Sequence, residues 1–138
     1  MWRACTETDE AKILRVIETG RKAIEDKSLR GVMAVLAPDY HDNLGLTATS
    51  VRPMIQRLFL GVQVLRVEIR EQTLSDLDRR STPIAHLSLA VVVSGSVQGQ
   101  PLYLMGTPNQ PAHLTLTLIK DGRRWLVREV QGLHMADF

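Results

Sequence analysis

Residues 112–131 read AHLTLTLIKDGRRWLVREVQ, a stretch that contains two β-strands and the turn between them. From Leu114 to Leu118 leucine alternates with threonine, which is the period expected of a strand with one buried face. Asp121-Gly122 then supplies residues that tolerate positive φ, as a tight hairpin turn requires. Apolar residues alternate again after the turn. The stretch therefore predicts a C-terminal antiparallel hairpin on which the other segments pack.

Upstream of this hairpin, helical and alternating patterns of apolar residues divide the chain. The connection at 98–111 either extends the preceding strand through a short hairpin or forms a loop over one end of the sheet, and the pattern leaves both open. On the long strand that precedes it, the face with Leu87, Leu89 and Val91 is expected to meet the helices. The predicted segments are helices from Thr8 to about Asp26, from Ser28 to Leu36 and from Thr49 or Ser50 to Gly61, a strand from Val62, a polar turn at Ser75–Pro83 and a strand at Ile84–Val97.

Three N-terminal helices followed by about four antiparallel strands predict an α+β fold, with the helices packed on one face of a curved sheet. The chain has 138 residues and a hydrophobic content of 44%, enough for one domain with a substantial core and too little for two. We expect residues 1–8 to be a disordered tail and residues 9–138 to form a single domain.

Composition excludes several classes of function. The formal net charge is +2, basic residues are scattered among acidic ones, and aromatic residues make up only 4%, which argues against a nucleic-acid partner. No apolar run is long enough to span a membrane. We find no phosphate-cradling glycine loop and no spacing of metal ligands, so no cofactor or metal is expected. The predicted location is the cytoplasm, or an exported lipoprotein anchored near Cys5 if a signal sequence precedes it.

The order of elements, the segment SLRGVMAVLA at Ser28–Ala37, the DYHDN that follows and the late GRRWLV resemble the nuclear-transport-factor-2-like superfamily, which includes ketosteroid isomerase and the SnoaL-like cyclases. The resemblance extends from about Asp9 to Gln131. It implies a cone-shaped α+β barrel, with an apolar pocket between the first helix and a strongly curved sheet. It also implies a homodimer formed through the outer face of the sheet. The superfamily has no common chemistry, so the fold does not fix the function.

Ketosteroid isomerase provides a test, because its mechanism requires a carboxylate base, a tyrosine and a protonated aspartate. The resemblance places Leu44 at the base position, although Asp42 is two residues away. The tyrosine position falls at or near Gly20, and Ala112 occupies the place of the aspartate. Without oxyanion donors much of the electrostatic stabilisation is lost. Steroid-type isomerisation by that mechanism is therefore not expected.

Asp42 is the candidate catalytic residue, with Tyr40 on the same side of an extended segment and His41 between them. A carboxylate against apolar walls has a raised pKa and can act as a general base. The ordinary interpretation is that the residues of this segment are turn and capping residues. Both interpretations of Asp42 stay open.

The last strand supplies further candidates for ligand binding. If the face with Trp125 and Val127 is inward, Glu129 and Gln131 point at the far end of the pocket. If the opposite face of the strand is inward, Arg128 is the residue that points into the pocket. Trp125 itself is more often a core anchor than a platform for a ligand. The phase of the strands places His86 and His113 on the outer face of the sheet.

Our first hypothesis is a pocket domain that binds a small apolar or amphipathic molecule between helix 1 and the sheet, without a complete catalytic set. The first alternative is a cofactor-independent isomerase, cyclase or lyase of the dehydratase type that uses Asp42 as general base. The second alternative is a protein-interaction module that uses the outer face of the sheet, where Arg66, Glu68 and Arg70 would lie.

Overall fold

The computed structural model describes residues 8–78 and 83–134, and these form three helices and a six-stranded sheet. Residues 1–7 of the predicted tail, Cys5 among them, lie outside the described residues, and Thr8 is the N-cap of the first helix. In chain order the elements are α1 (Asp9–Glu25), α2 (Leu29–Ala34), β1 (Leu36–Asp42), α3 (Ala48–Gly61), β2 (Val64–Asp78), β3 (Ile84–Val97), β4 (Gln100–Met105), β5 (Ala112–Asp121) and β6 (Arg124–Gln131).

Helix α1 begins where the sequence predicts. The Thr8 side chain caps it by accepting a hydrogen bond from the Ala11 N–H at 3.1 Å, and two acidic residues in the first turn suit the positive end of the helix dipole. Ile13 and Ile17 are buried one turn apart and pack α1 against the sheet, as members of the main core. Ala23, which is also buried, lies against Gly31 of α2.

Helix α2 is shorter than predicted. Ser28 caps it as expected, but it ends at Ala34 and strand β1 already begins at Leu36. The reason is tertiary: the Val35 carbonyl accepts a hydrogen bond from the Val127 N–H of β6, at 2.8 Å, so the chain leaves the helix to pair with a strand far away in sequence. The extended segment predicted around Tyr40 and Asp42 thus belongs to a strand that starts at Leu36.

Helix α3 begins earlier than predicted, with Thr47 as its N-cap. The Thr47 and Ser50 side chains form a capping box, each receiving a backbone N–H of the other residue. Pro53 consequently lies inside the helix rather than in its first turn. Val51 is the buried residue of this helix, while Leu58 and Phe59 pack on a second apolar cluster.

The six strands follow the order β1, β6, β5, β3, β2, and β4 pairs with the second half of β3. This corrects the prediction of about four antiparallel strands, since β1 is an additional strand and runs parallel to β6. The sheet is curved and unclosed, with β1 and β2 as the end strands of the described sheet. The α+β class and the packing of helices on a curved sheet are confirmed.

The two strand-to-strand turns that the structure describes, β3 to β4 and β5 to β6, use residues with positive φ. Gly122, at φ 65°, turns β5 into β6, which confirms the predicted C-terminal hairpin. Gln98 and Gly99, at φ 52° and 77°, turn β3 into β4. This resolves the connection at 98–111 in favour of the hairpin, followed by a loop that leads to β5.

Strand β3 has the predicted bounds and the predicted inward face, with Ala85, Leu87 and Leu89 buried. Strand β2 continues through the predicted turn at 75–83 as far as Asp78, and residues 79–82 lie outside the described residues. The main core lies between α1 and the inward face of the sheet, with Ile13, Leu118 and Trp125 among its most buried members. Among the described residues, no helix is long and apolar enough to cross a membrane.

Candidate functional site

A cavity of about 220 Å³ lies between α1 and the inward face of the sheet; we call it the main cavity. An apolar cavity of about 150 Å³ is large enough to bind benzene. The main cavity therefore has room for a substituted ring or a short alkyl chain. Its lining residues are Val16, Ile17, Gly20, Arg21, Ile24, Val32, Val35, Leu36, Tyr40, Val67, Ile69, Leu89, Val91, Val93, Met105, Leu114, Leu116, Val127, Val130 and Leu133.

Arg21 and Tyr40 are the lining residues with polar side-chain groups among those described. Arg21 binds Glu18 at 2.6 Å and Glu25 at 2.9 Å, and the hydrogen bond with Glu18 followed by that with Glu25 raises the pKa of its guanidinium. The Glu25 carboxylate also accepts the Val67 N–H of β2, at 2.9 Å. This network joins α1 to β2, and its i, i+3 and i, i+4 spacing is a sequence signal that our prediction did not use.

Tyr40 donates a hydrogen bond from its hydroxyl to Oδ2 of Asp42, over 2.6 Å. Both side chains are buried, and they project from the same face of β1 because they are two residues apart in a strand. Burial, and then the hydrogen bond to Asp42, raise the pKa of the Tyr40 hydroxyl. The hydroxyl thus stays protonated, and its proton is directed at Asp42.

Asp42 also organises the turn that follows β1. Its Oδ1 accepts the Leu44 N–H at 2.9 Å and the Leu46 N–H at 3.1 Å. The turn interpretation and the buried-carboxylate interpretation therefore both describe Asp42. Asp42 does not line the main cavity, and it is joined to that space through its hydrogen bond with Tyr40, which does.

The other candidates on β1 and β6 form a separate polar cluster. Glu129 Oε2 lies 3.4 Å from His41 Nε2 and accepts a hydrogen bond from Gln131 Nε2 at 2.7 Å. The structure brings these three residues together, but none of them lines the main cavity. This placement differs from the inward one expected for Glu129 and Gln131.

An irregularity in β6 explains the difference. Leu118 of β5 pairs with Val127 and Thr117 pairs with Glu129, so Arg128 is an extra residue in the ladder. The extra residue reverses the alternation beyond Val127. Val130 therefore faces the cavity in the place that a regular strand would give to Glu129 or Gln131.

Trp125 anchors the core, being 2% exposed, and its indole N–H donates to Asp9 Oδ1 at 3.1 Å. The same oxygen lies 3.0 Å from the Lys120 ammonium, which balances its charge. Trp125 does not line the main cavity, but it borders a second depression, which lies at the surface.

Solved structures of other proteins share the fold of this chain. No protein-family model matches the sequence, and no curated protein matches it at a significant level. Solved structures do match. A proposed aromatic ring hydroxylase from Novosphingobium aromaticivorans aligns over 96% of this chain and 94% of its own, with a TM-score of 0.74 and 12% identity.

A proposed scytalone dehydratase from the same organism aligns over 94% of this chain and 87% of its own, with a TM-score of 0.75 and 12% identity. A Mycobacterium tuberculosis protein of unknown function aligns over 92% and 76%, with a TM-score of 0.69 and 13% identity. Together with the helices on a curved, unclosed sheet, these matches decide the architecture. The chain has the nuclear-transport-factor-2-like fold.

Within this nuclear-transport-factor-2-like fold, the positions tested against ketosteroid isomerase hold no side-chain donor. Leu44 is exposed in the turn after β1, Gly20 lines the main cavity from α1, and Ala112 begins β5. His113 lies on the opposite side of β5, in a groove that it shares with Thr73 and Ser88. No group of three or more potential ligands within residues 8–78 and 83–134 has the geometry of a metal site.

Proposed function

We propose that this protein binds a small apolar or amphipathic molecule in the main cavity. The observation that carries the proposal is a cavity of about 220 Å³ whose described lining is aliphatic apart from Arg21 and Tyr40. Burial of apolar surface would supply most of the binding free energy, roughly 25 cal/mol per Å² removed from water. The Tyr40 hydroxyl, whose proton is directed at Asp42, offers a lone pair to a donor group on the ligand.

The polar groups favour binding over catalysis. A general base must lie within hydrogen-bond reach of the proton that it abstracts. The Asp42 carboxylate already accepts hydrogen bonds from Tyr40, Leu44 and Leu46, and it does not line the main cavity. The raised pKa of Tyr40 also opposes its loss of a proton at neutral pH. Such groups orient a ligand without transforming it.

A titration with 1-octanol, followed by NMR, tests this proposal. Gly20 lines the cavity, so Gly20→Leu places a large side chain where the ligand would lie, whereas Gly20→Ala adds one methyl group 3.5 Å from Val35 Cγ2. We expect 1-octanol to bind the unaltered protein and Gly20→Ala, and to lose at least tenfold in affinity for Gly20→Leu. Val91→Phe blocks the same cavity from the sheet and serves if Gly20→Leu misfolds.

Equal affinity for 1-octanol in a folded Gly20→Leu or Val91→Phe variant would place the ligand elsewhere and overturn the proposal. If 1-octanol did not bind the unaltered protein, the proposal would be wrong for small amphipathic alcohols. Native mass spectrometry of the purified protein adds an independent measurement, because a retained small molecule should disappear in the blocked variants.

The second candidate is an enzyme of the isomerase, cyclase or lyase type with Asp42 as base. The hydrogen bond of 2.6 Å that joins Asp42 to a cavity-lining tyrosine favours it, since Tyr40 could relay a proton. Two proteins of similar fold carry the names of a hydroxylase and a dehydratase. Asp42→Asn should abolish turnover of any identified substrate while the variant stays folded, and unchanged turnover would remove Asp42 from the mechanism.

Homodimerisation through the outer face of the sheet also remains a proposal. A groove of about 180 Å³ on this face, bordered by Ser88, Ala90 and Thr115, gives a second copy a surface to pack on. Sedimentation analysis should detect a dimer that Thr115→Arg dissociates. A monomer at all concentrations would exclude this dimer, and the absence of any pulled-down partner as well would argue against an interaction module on this face.

A further inference from the structure

A basic depression lies at the surface between α1, the end of α2 and the turn from β5 to β6. Its volume is about 220 Å³. Sequence patterns give no hint of it, because its walls come from three segments that are distant in the chain. The residues that line the basic depression are Lys12, Arg15, Val16, Thr19, Ala34, Val35, Arg123, Arg124 and Trp125.

Four cationic side chains line the basic depression, and its described lining has no acidic one. The Arg124 guanidinium is held in place, since it donates to the Ala34 carbonyl at 2.8 Å. The side chains of Lys12 and Arg123 have no ion-pair or hydrogen-bond partner in the described part of the chain. Asp9 accepts the hydrogen bond from the Trp125 indole and pairs with Lys120, and it does not line the depression. Like charges gathered in one concave site attract an anion.

Around Arg21, which lines the main cavity, positive and negative charges are balanced. Arg21 binds Glu18 and Glu25, so its guanidinium is already satisfied by carboxylates. The depression beside it, between α1 and β2, also mixes both signs of charge, with Glu68 and Arg70 on its border. An acidic group on a ligand would gain little there. Compared with the surroundings of Arg21, the basic depression has cationic side chains, Lys12 and Arg123, that no described carboxylate neutralises.

Val16 and Val35 line both the basic depression and the main cavity. The two spaces therefore share a wall made of two small aliphatic side chains, one on α1 and one at the C-cap of α2. A molecule that passes between these valines would have an apolar body among aliphatic residues and its end among cations. The Thr19 hydroxyl lies in the same depression and can donate a further hydrogen bond to that end.

We propose that the basic depression binds the carboxylate or phosphate group of an amphipathic ligand whose apolar part occupies the main cavity. This inference deepens the proposed function and rests on it. It narrows the ligand class to acids with a short alkyl chain or a substituted ring. Lys12, Arg15 and Arg123 would supply the positive charge, and Arg124 would fix the position of the turn that carries Arg123.

Octanoate and 1-octanol test the inference, because they differ in the head group and share a chain. The test variant is Lys12→Gln combined with Arg123→Gln, and its matched control is Arg52→Gln combined with Arg57→Gln, which removes two exposed cations from α3. We expect the test variant to bind octanoate about tenfold more weakly, as loss of two partly screened charge contacts predicts, and to bind 1-octanol unchanged. The control should bind both as before.

The affinity for octanoate should also fall as salt concentration rises, while that for 1-octanol should not. If octanoate binds the test variant and the control equally, the inference is wrong, although binding of 1-octanol would leave the proposed function standing. If neither compound binds, the proposed function itself fails. If octanoate loses affinity in the test variant but still binds the folded Gly20→Leu variant, the depression is an independent anion site, and the shared ligand is excluded.

Discussion

Asp42 is a buried carboxylate with hydrogen bonds from the Tyr40 hydroxyl and from the N–H groups of Leu44 and Leu46. Asp42→Ala would leave these donors without their acceptor, and an unsatisfied buried donor costs about 1–3 kcal/mol. We expect the free energy of unfolding to fall by about 2–3 kcal/mol in urea denaturation. Asp42→Asn keeps one acceptor oxygen and should cost about 1 kcal/mol. Equal stability of all three proteins would show that the turn does not depend on this side chain.

Tyr40 makes the stability depend on alkaline pH. Burial and the hydrogen bond to Asp42 raise the pKa of the Tyr40 hydroxyl in the folded protein. In the unfolded chain the hydroxyl loses its proton at about pH 10. Folded protein therefore binds a proton that unfolded protein has lost, so this contribution is fully present below about pH 10 and is lost as the pH rises further. We expect the free energy of unfolding to fall by about 1.4 kcal/mol per pH unit there.

Urea denaturation at several alkaline pH values measures this slope. Tyr40→Phe should remove it, at the cost of the hydrogen bond to Asp42. Tyr103 is half exposed on β4 and gives the matched control, so Tyr103→Phe should leave the slope in place. The assignment to Tyr40 would be wrong if Tyr40→Phe retained the full alkaline slope.

At the residue level, the sequence could place Tyr40 and Asp42 on one side of a strand, because their separation of two residues matches the strand period. It could not place Glu129 or Gln131. The extra residue Arg128 reverses the alternation, and a bulge of this kind arises from the pairing of β6 with β5 rather than from a local pattern.

Two glycines on helices α1 and α2 should respond in opposite ways to alanine. A Cβ at Gly20 would lie 3.5 Å from Val35 Cγ2, an ordinary contact, and alanine favours helix over glycine by about 0.5–1 kcal/mol. We expect Gly20→Ala to raise the free energy of unfolding by that amount. A Cβ at Gly31 would lie 2.9 Å from both Ala23 Cβ and Ser28 Oγ.

Gly31→Ala should therefore destabilise the protein, by about 1–3 kcal/mol, as overpacking does. Thermal and urea denaturation of both variants measure the difference. The contact of α1 with α2 would be looser than described if Gly31→Ala were as stable as Gly20→Ala. The Ser28 cap adds a check, because its acceptance of the Gly31 N–H at 3.0 Å should be disturbed by the same methyl group.

At the level of elements, the sequence predicts a strand or turn correctly where neighbouring residues determine it. The turn residues Asp121-Gly122 predicted the β5–β6 hairpin, and alternation predicted β3 and its inward face. The boundary between α2 and β1 could not be found in this way. It depends on a hydrogen bond between Val35 and Val127, which are far apart in sequence. The parallel pairing of β1 with β6 likewise joins distant segments.

For the whole molecule, the pattern of apolar residues identifies which faces of the helices and the sheet pack together. It does not predict the volume of the cavity that is left between them. The main cavity exists because the sheet curves around α1, and curvature comes from bulges and pairing rather than from composition. The basic depression combines residues near positions 12–19, 34–35 and 123–125. Their proximity follows from the fold as a whole, so the sequence could not predict the cluster.

The position of Trp125 has a practical consequence. Its indole ring belongs to the core and also borders the basic depression, next to the cations. The other tryptophan, Trp2, lies outside the described residues and can be replaced by phenylalanine. In that variant all tryptophan fluorescence comes from one indole beside the site, so the protein carries its own optical sensor for whatever enters the depression.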